Sequence, residues 1–194
     1  MLVLASASTA RAALLRGAGV NFETRPSEVD EDQPKAAMKA TEAEAVARAL
    51  AELKARHIAA QMPGKLVIGA DQLLDCNGDW FDKARDRKEA GEQLRLLRGK
   101  EHRLATAVCV FEGETCLWNY TCSPRLRMRD FSDAYIESYL EAAGDAALGC
   151  VGAYRLEGLG AQLFDEIEGD YFSILGLPLL PLLDFLRGRG MVTP

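Results

Sequence analysis

The stretch from Leu66 to Gln72 constrains the fold most, because a short apolar run there ends in a carboxylate at Asp71. The run is too short for a helix and contains β-branched residues, so it predicts a buried strand. Gly69 and Ala70 allow another backbone or a ligand to come close. In open α/β sheets, ligands bind beyond the carboxyl ends of the strands, and Asp71 stands at such an end.

Lys83 follows Asp71 after a predicted hairpin, in which Asn77 and Gly78 form the turn and Trp80 begins the returning strand. This geometry brings Lys83 back toward Asp71. A carboxylate can hold a divalent metal or accept a proton from water, and an ammonium group can neutralise phosphate charge. The alternative is that Asp71 caps a turn and Lys83 is a solvated surface charge.

The composition indicates a globular chain, which we treat as one domain over residues 1–194. Hydrophobic residues make up 48%, and the net charge of -6 argues against binding to a nucleic acid polymer, although a nucleotide substrate needs only a few local cations. The five cysteines form no C-x-x-C pair, so we expect reduced thiols and a cytoplasmic protein. No apolar run is long enough to span a membrane, and we interpret the first twenty residues as structure rather than a targeting segment.

The N-terminal segment resembles an anion site. Residues 2–4 predict a strand, residues 5–9 a serine-rich loop, and residues 10–17 a helix for which Ser8 or Thr9 is the N-cap. Free N–H groups and the helix dipole then point at one spot, and Arg11 adds a bidentate grip on phosphate. The alternative is an ordinary capped helix with a surface arginine.

The remaining segments alternate helical and strand patterns. Residues 26–34 form an acidic loop, which is either solvated or bridged by a cation, and residues 41–60 predict a long helix that carries Lys54. Arg125, Arg127 and Arg129 alternate with apolar residues, as on a half-solvated sheet face or, alternatively, an anion-binding stripe. The order of β-α units and hairpins predicts an α/β (mixed α+β) fold with a mixed sheet.

Five patches, in order, resemble the Maf family of nucleoside triphosphate pyrophosphatases, also described as septum formation inhibitors. They are Leu4 to Arg11, Val29 to Glu31, Lys54 with Ala55, Val67 to Gln72 followed by Lys83, and Gly152 through Leu179. The likeness spans nearly the whole chain, although Ala10 stands where the family carries a larger residue. From this resemblance we expect an elongated mixed sheet flanked by helices, in two lobes with a cleft between them.

The resemblance implies hydrolysis of the α–β phosphoanhydride of a nucleoside triphosphate, with Mg or Mn as the divalent metal, and a homodimer. It assigns the roles as follows: catalysis to Asp71, Lys83 and Glu31; metal binding to Glu31 and Asp71; triphosphate binding to Ser6, Ser8, Arg11, Lys54 and Lys83; and base specificity to Ala10, Gln72 and Glu157.

Two substrate classes are open within the family. Asp71-Gln72 together with Glu157 resembles the branch that acts on 7-methyl-GTP, and the other branch acts on dTTP and UTP. Two rival interpretations lie outside it: a nucleotidyl or sugar-phosphate transferase, and a nucleotide-binding regulator of cell division that does not turn over its ligand. Release of pyrophosphate from a triphosphate alone distinguishes the enzyme from both.

Overall fold

The computed structural model describes residues 1–38 and 41–193, which form two compact units. The first unit contains residues 1–72, 105–123 and the described residues from 170 onward, and the second contains residues 73–104 and 124–169. Each unit is therefore built from separate segments of the chain.

The strands are as follows: Leu2–Leu4 (β1), Phe22–Thr24 (β2), Leu66–Cys76 (β3), Asp79–Phe81 (β4), Glu101–Glu112 (β5), Thr115–Cys122 (β6), Arg125–Met128 (β7) and Phe164–Glu168 (β8). The helices are Thr9–Gly17 (α1), Asp32–Ala37 (α2), Ala43–Gln61 (α3), Arg87–Leu97 (α4), Asp133–Ala143 (α5), Tyr171–Ile174 (α6) and Leu179–Gly188 (α7). Two 3₁₀ segments lie at Gly144–Gly149 and Leu159–Leu163.

The strands form a mixed sheet, as the sequence predicts. Its order is β2-β1-β3-β5-β7-β8, with β4 paired to β3 and β6 paired to β5. The strand β1 runs parallel to both β2 and β3, whereas the other pairs whose registers are defined are antiparallel. The α/β class with a mixed sheet is therefore confirmed, while the elongation and the cleft stay predictions.

The core of the first unit forms around β1. Leu2 and Leu4 are fully buried and pack with Leu15 of α1, Ile68 of β3 and Leu177. A central parallel strand is covered on both faces, which is why it is apolar at every position rather than at alternate ones. This packing fixes the end of β1 and the middle of β3, which carry the candidate site.

The helix α3 lies against β3 at unusually close range. A Cβ atom placed on Gly69 would stand 2.1 Å from the carbonyl oxygen of Ala51 and 2.8 Å from the Cβ of Ala55. The glycine therefore admits the backbone of the helix. The close approach that the sequence predicts at Gly69 is thus an approach of α3, which also carries Lys54.

Three element predictions differ from the structure. Residues 26–34 are not a continuous loop, since α2 begins at Asp32, and Pro34 is its third residue, where a missing N–H costs no intrahelical bond. The long helix begins at Ala43 rather than at residue 41. Asp71 does not stand at the end of its strand, because β3 continues past it to Cys76 and pairs there with β4.

The arginines of β7 face acidic residues of the neighbouring strand β8. The Nη2 of Arg125 lies 2.7 Å from the Oε2 of Glu168, and Arg127 pairs with Glu166 in the same way. Leu126 between them is buried. This arrangement favours the solvated sheet face over an anion-binding stripe.

The helices and the cysteines bear on two expectations from the sequence. None of the helices in residues 1–38 and 41–193 combines the length and the hydrophobicity that a membrane crossing requires. All five cysteines carry free thiols.

Candidate functional site

The loop between β1 and α1 holds two serines, and the first turn of α1 holds an arginine. Ser8 caps α1, and its Oγ accepts a hydrogen bond from the backbone N–H of Arg11 at 3.3 Å. The Oγ of Ser6, which is buried, accepts bonds from the backbone N–H of Ser8 at 3.2 Å and from the Nη1 of Arg11 at 3.1 Å. Of the two caps that the sequence allows, Ser8 is the one used.

A distant carbonyl group fixes the side chain of Arg11 from its other side. The Nε of Arg11 donates to the carbonyl oxygen of Gly176 at 2.7 Å. The Nη2 of Arg11 has no hydrogen-bond partner among the residues that the structure describes, so it remains available to a ligand. A guanidinium held on two sides beside a helix N-terminus is suited to binding phosphate.

A buried lysine joins two carboxylates next to this loop. The Nζ of Lys54 lies 2.6 Å from the Oδ1 of Asp71 and 2.9 Å from the Oε1 of Glu31. The side chains of Lys54 and Asp71 are only 11% and 8% exposed, whereas Glu31 is half-buried. Lys54 comes from α3, Asp71 from β3, and Glu31 from the residue that precedes α2.

The electrostatics of Asp71 suit a proton acceptor. Burial raises the pKa of the Asp71 carboxyl above its ordinary value, while the positive charges of Lys54 and Arg11 act against that rise. Burial makes the carboxylate a stronger base, and the two cations favour its charged form. Lys54 engages Oδ1, and no residue within 1–38 or 41–193 bonds to Oδ2.

The two carboxylates also fit a divalent metal. No group of three or more His, Cys, Asp or Glu side chains within the described residues forms a ready-made metal cage. Mg²⁺, however, is usually bound by one or two carboxylates together with substrate phosphates and water. Asp71 and Glu31 supply such a pair, each with one oxygen that Lys54 does not engage.

Two of the predicted site residues belong to the second unit. Lys83 is exposed, and its backbone forms an isolated antiparallel bridge with Val151, whereas the pairing of β4 with β3 ends at Phe81 opposite Leu74. The approach of Lys83 to Asp71 stays a prediction.

Glu157, also in the second unit, is paired with an arginine. Its Oε1 accepts a hydrogen bond from the Nε of Arg155 at 3.0 Å and lies 2.9 Å from the Nη2 of the same residue. The pairing raises the pKa of the Arg155 guanidinium above its ordinary value. Its Oε2 has no partner among the described residues, so part of the carboxylate remains available.

The other two residues predicted to set base specificity lie in the first unit. Ala10 is the second residue of α1 and is half-buried. The Nε2 of Gln72 donates to the Oγ1 of Thr106 at 2.8 Å and to the carbonyl oxygens of Ser173 at 3.0 Å and Ile174 at 3.2 Å. The amide of Gln72 is thus held in one orientation.

Sequence reasoning missed the partners Thr106, Ser173 and Gly176. They lie 34, 101 and 165 residues from the side chains that they hold, so no local pattern connects them. The glycine after the apolar run that ends at Leu175 signals a turn, but it does not reveal that the turn faces Arg11.

The chain is similar to known proteins over nearly its whole length. The family model described as Maf-like protein matches residues 1–189. A protein of Granulibacter bethesdensis named nucleoside triphosphate pyrophosphatase is 52% identical over 194 residues, covering 99% of this chain and 98% of that protein. A protein of the same name from Paramagnetospirillum magneticum is 50% identical over 194 residues, 99% of this chain and 100% of that protein. A third protein of that name, from Nitrobacter hamburgensis, is 47% identical over 192 residues, which cover 99% of this chain and 95% of that protein.

Proposed function

The chain belongs to the Maf family, and we propose that it is a nucleoside triphosphate pyrophosphatase. It hydrolyses the bond between the α- and β-phosphates and yields a nucleoside monophosphate and pyrophosphate. The observation that carries this proposal is the buried Lys54 that joins Asp71 and Glu31, beside the serine-and-arginine loop at the start of α1. The names of the relatives support the same activity.

In the proposed reaction, Asp71 acts as the general base. Its carboxylate accepts a proton from water as the water oxygen attacks the α-phosphorus. The bond from that phosphorus to the bridging oxygen breaks, and the electron pair leaves with pyrophosphate. Lys54 holds Oδ1 and keeps the carboxylate oriented and charged, which is the condition for proton acceptance.

Hydroxyl and cationic side chains bind the triphosphate and stabilise its charge. Ser6, Ser8 and Arg11 surround the N-terminus of α1, where backbone N–H groups point toward an anion. We assign Lys83 to the same task. Phosphoryl transfer depends mainly on positioning and on electrostatic stabilisation, which these groups provide.

Glu31 and Asp71 are the residues that would hold a divalent metal. A bound Mg or Mn ion supplies positive charge that polarises the phosphate and offsets the charge of the leaving pyrophosphate.

For the base, we propose 7-methyl-GTP over the pyrimidine nucleotides dTTP and UTP. The carboxylate of Glu157 suits the positive charge and the donor groups of a methylated guanine. Its Oε2 is available, since both described contacts from Arg155 end on Oε1.

The test is pyrophosphate release with Mg²⁺ from a panel of canonical and modified nucleoside triphosphates, for the parent chain and for Asp71→Asn. We expect the substitution to lower kcat by at least about 100-fold, because it removes the general base. Asp75→Asn is the matched control, since Asp75 is also a buried acid of β3 but bonds Arg103 and the backbone of Gly78.

Each outcome decides a separate point. Preference for 7-methyl-GTP, lost in Asp71→Asn and kept in Asp75→Asn, supports the reaction and the base. Preference for dTTP or UTP keeps the reaction and rejects the base. Nucleotide binding without pyrophosphate release rejects the enzyme and favours a binding regulator.

A further inference from the structure

A single helical turn near the C-terminus, α6, is capped by Asp170. The Oδ2 of Asp170 accepts hydrogen bonds from the backbone N–H of Ser173 at 2.8 Å and from its Oγ at 2.7 Å. Ser173 is only 3% exposed. One carboxylate oxygen therefore fixes both the main chain and the side chain of Ser173. We call residues 170–177 the Asp170 turn.

Two carbonyl groups of the Asp170 turn hold Gln72. The carbonyl oxygens of Ser173 and Ile174 both accept from the Nε2 of Gln72, and the Oγ1 of Thr106 donates to the same Ser173 oxygen at 3.3 Å. Carbonyl oxygens only accept, so the amide nitrogen of Gln72 must face them. The Oε1 of Gln72 is then turned away and has no partner among the described residues.

A third carbonyl group of the Asp170 turn holds Arg11. The oxygen of Gly176 accepts from the Nε of Arg11, and a Cβ atom placed on Gly176 would lie 3.3 Å from that nitrogen. The turn is closed by bonds from the N–H of Gly176 to the oxygen of Ser173 at 3.0 Å and from the N–H of Leu177 to the oxygen of Phe172 at 3.1 Å. The three carbonyl groups therefore move together.

We propose that Asp170 is a positioning residue that sets the orientations of both Arg11 and Gln72. The inference rests on the proposed function, in which Arg11 binds the triphosphate and Gln72 contributes to base selection. Asp170 acts through Ser173, since its described hydrogen bonds all end there. Without the cap, the turn loses the bonds that align its carbonyl groups, and Arg11 loses a fixed acceptor.

The test compares Asp170→Ala with Asp170→Asn. We expect the alanine variant to lower kcat/KM by about 10- to 100-fold for every triphosphate, because a small displacement of a substrate-positioning group is costly. The asparagine variant restores activity, since both bonds from Ser173 end on one oxygen that an amide also provides. We expect the affinity for α,β-methylene triphosphate analogues, which are not cleaved, to fall in Asp170→Ala and to be restored in Asp170→Asn.

Asp86→Ala is the matched control for the loss of a helix cap. The Oδ1 of Asp86 accepts from the backbone N–H of Glu89 at 2.8 Å and caps α4 in the second unit. We expect this variant to be destabilised like Asp170→Ala but to keep the kcat/KM and analogue affinity of the parent chain. Equal losses in both alanine variants would overturn the proposal, because the effect would then be one of general stability.

The remaining outcomes separate this proposal from the proposed function. A parent chain that binds the analogues but releases no pyrophosphate rejects the enzyme, and the affinities of the variants still decide the role of Asp170. If Asp170→Ala does not fold, Ser173→Ala, which removes only the Oγ bond, takes its place. Unchanged affinity and activity in the variant measured overturns the proposal, as does a parent chain that binds none of the analogues.

Discussion

At the scale of single residues, His102 of β5 is a buried histidine with only one of its ring nitrogens bonded. Its Nε2 lies 2.8 Å from the hydroxyl oxygen of Tyr154, and its Nδ1 has no hydrogen-bond partner among the described residues. The ring also packs against Phe164. Burial lowers the pKa of His102 from 6.5 to about 4, because a charged imidazolium would lack solvation there.

This shift predicts a loss of stability in acid. The unfolded chain takes up a proton at His102 below pH 6.5, whereas the folded chain does so only near pH 4. The free energy of unfolding therefore falls as the pH drops from 6.5 to 4, by up to about 3 kcal/mol from this group. Glutamine cannot titrate. We therefore expect His102→Gln to flatten the pH dependence of the free energy of unfolding, measured by urea unfolding over this pH range.

The control for that measurement is the same substitution at the exposed His57. It removes a histidine without touching the cluster of His102, Tyr154 and Phe164. If the free energy of unfolding fell equally with pH in the parent chain and in His102→Gln, this would contradict the link between the burial of His102 and the loss of stability in acid.

At the scale of elements, the contact between α3 and β3 connects stability to the site. Gly69 admits the backbone of the helix at Ala51, and the ion pair between Lys54 and Asp71 spans the same two elements. A small displacement of α3 from β3 therefore disturbs both the packing and the carboxylate that we propose as the base.

Gly69→Ala should lower both stability and activity. The new Cβ would stand 2.1 Å from the oxygen of Ala51, so α3 must move, and overpacking of this kind costs about 1–3 kcal/mol. Gly17→Ala is the control, because Gly17 ends α1 with no atom within 4 Å of an added Cβ. Thermal unfolding and kcat/KM are measured together, and a Gly69→Ala variant as stable and active as Gly17→Ala would refute the argument.

Element prediction succeeded where local signals are strong. The strand at residues 66–72 and its extension to Cys76, the hairpin at Asn77, and a cap at Ser8 or Thr9 follow from patterns within a few residues of each other. The short helices α2 and α6 were missed. Each is only a turn or so long, so neither shows helical periodicity, and α6 depends on the cap that Asp170 provides.

At the scale of the whole molecule, two strands belong to both units. The strand β3 begins in the first unit and ends in the second, whereas β5 begins in the second and ends in the first. Unfolding of one unit alone would have to melt part of each strand. We therefore propose that residues 1–194 fold as one domain and unfold in a single transition.

The two tryptophans of the chain allow a direct test. Trp80 lies in the second unit and Trp118 in the first, so Trp80→Phe and Trp118→Phe each leave one fluorescent reporter. We expect the fluorescence transition of each variant in urea to coincide with the far-ultraviolet circular dichroism of the same variant. A fluorescence midpoint that departs from the circular dichroism midpoint within one variant would show that the units unfold independently.

The sequence by itself determined the strand that carries Asp71, the capped helix that carries Arg11, and the family. Only the tertiary structure decided that Lys54 joins Asp71 to Glu31 and that Gly176 holds Arg11. The physical reason is the separation along the chain of the residues that each feature involves. Caps, turns and periodicity depend on neighbours along the chain, whereas these contacts depend on how closely α3 packs on β3 and where the turn after α6 meets α1, which no local pattern encodes.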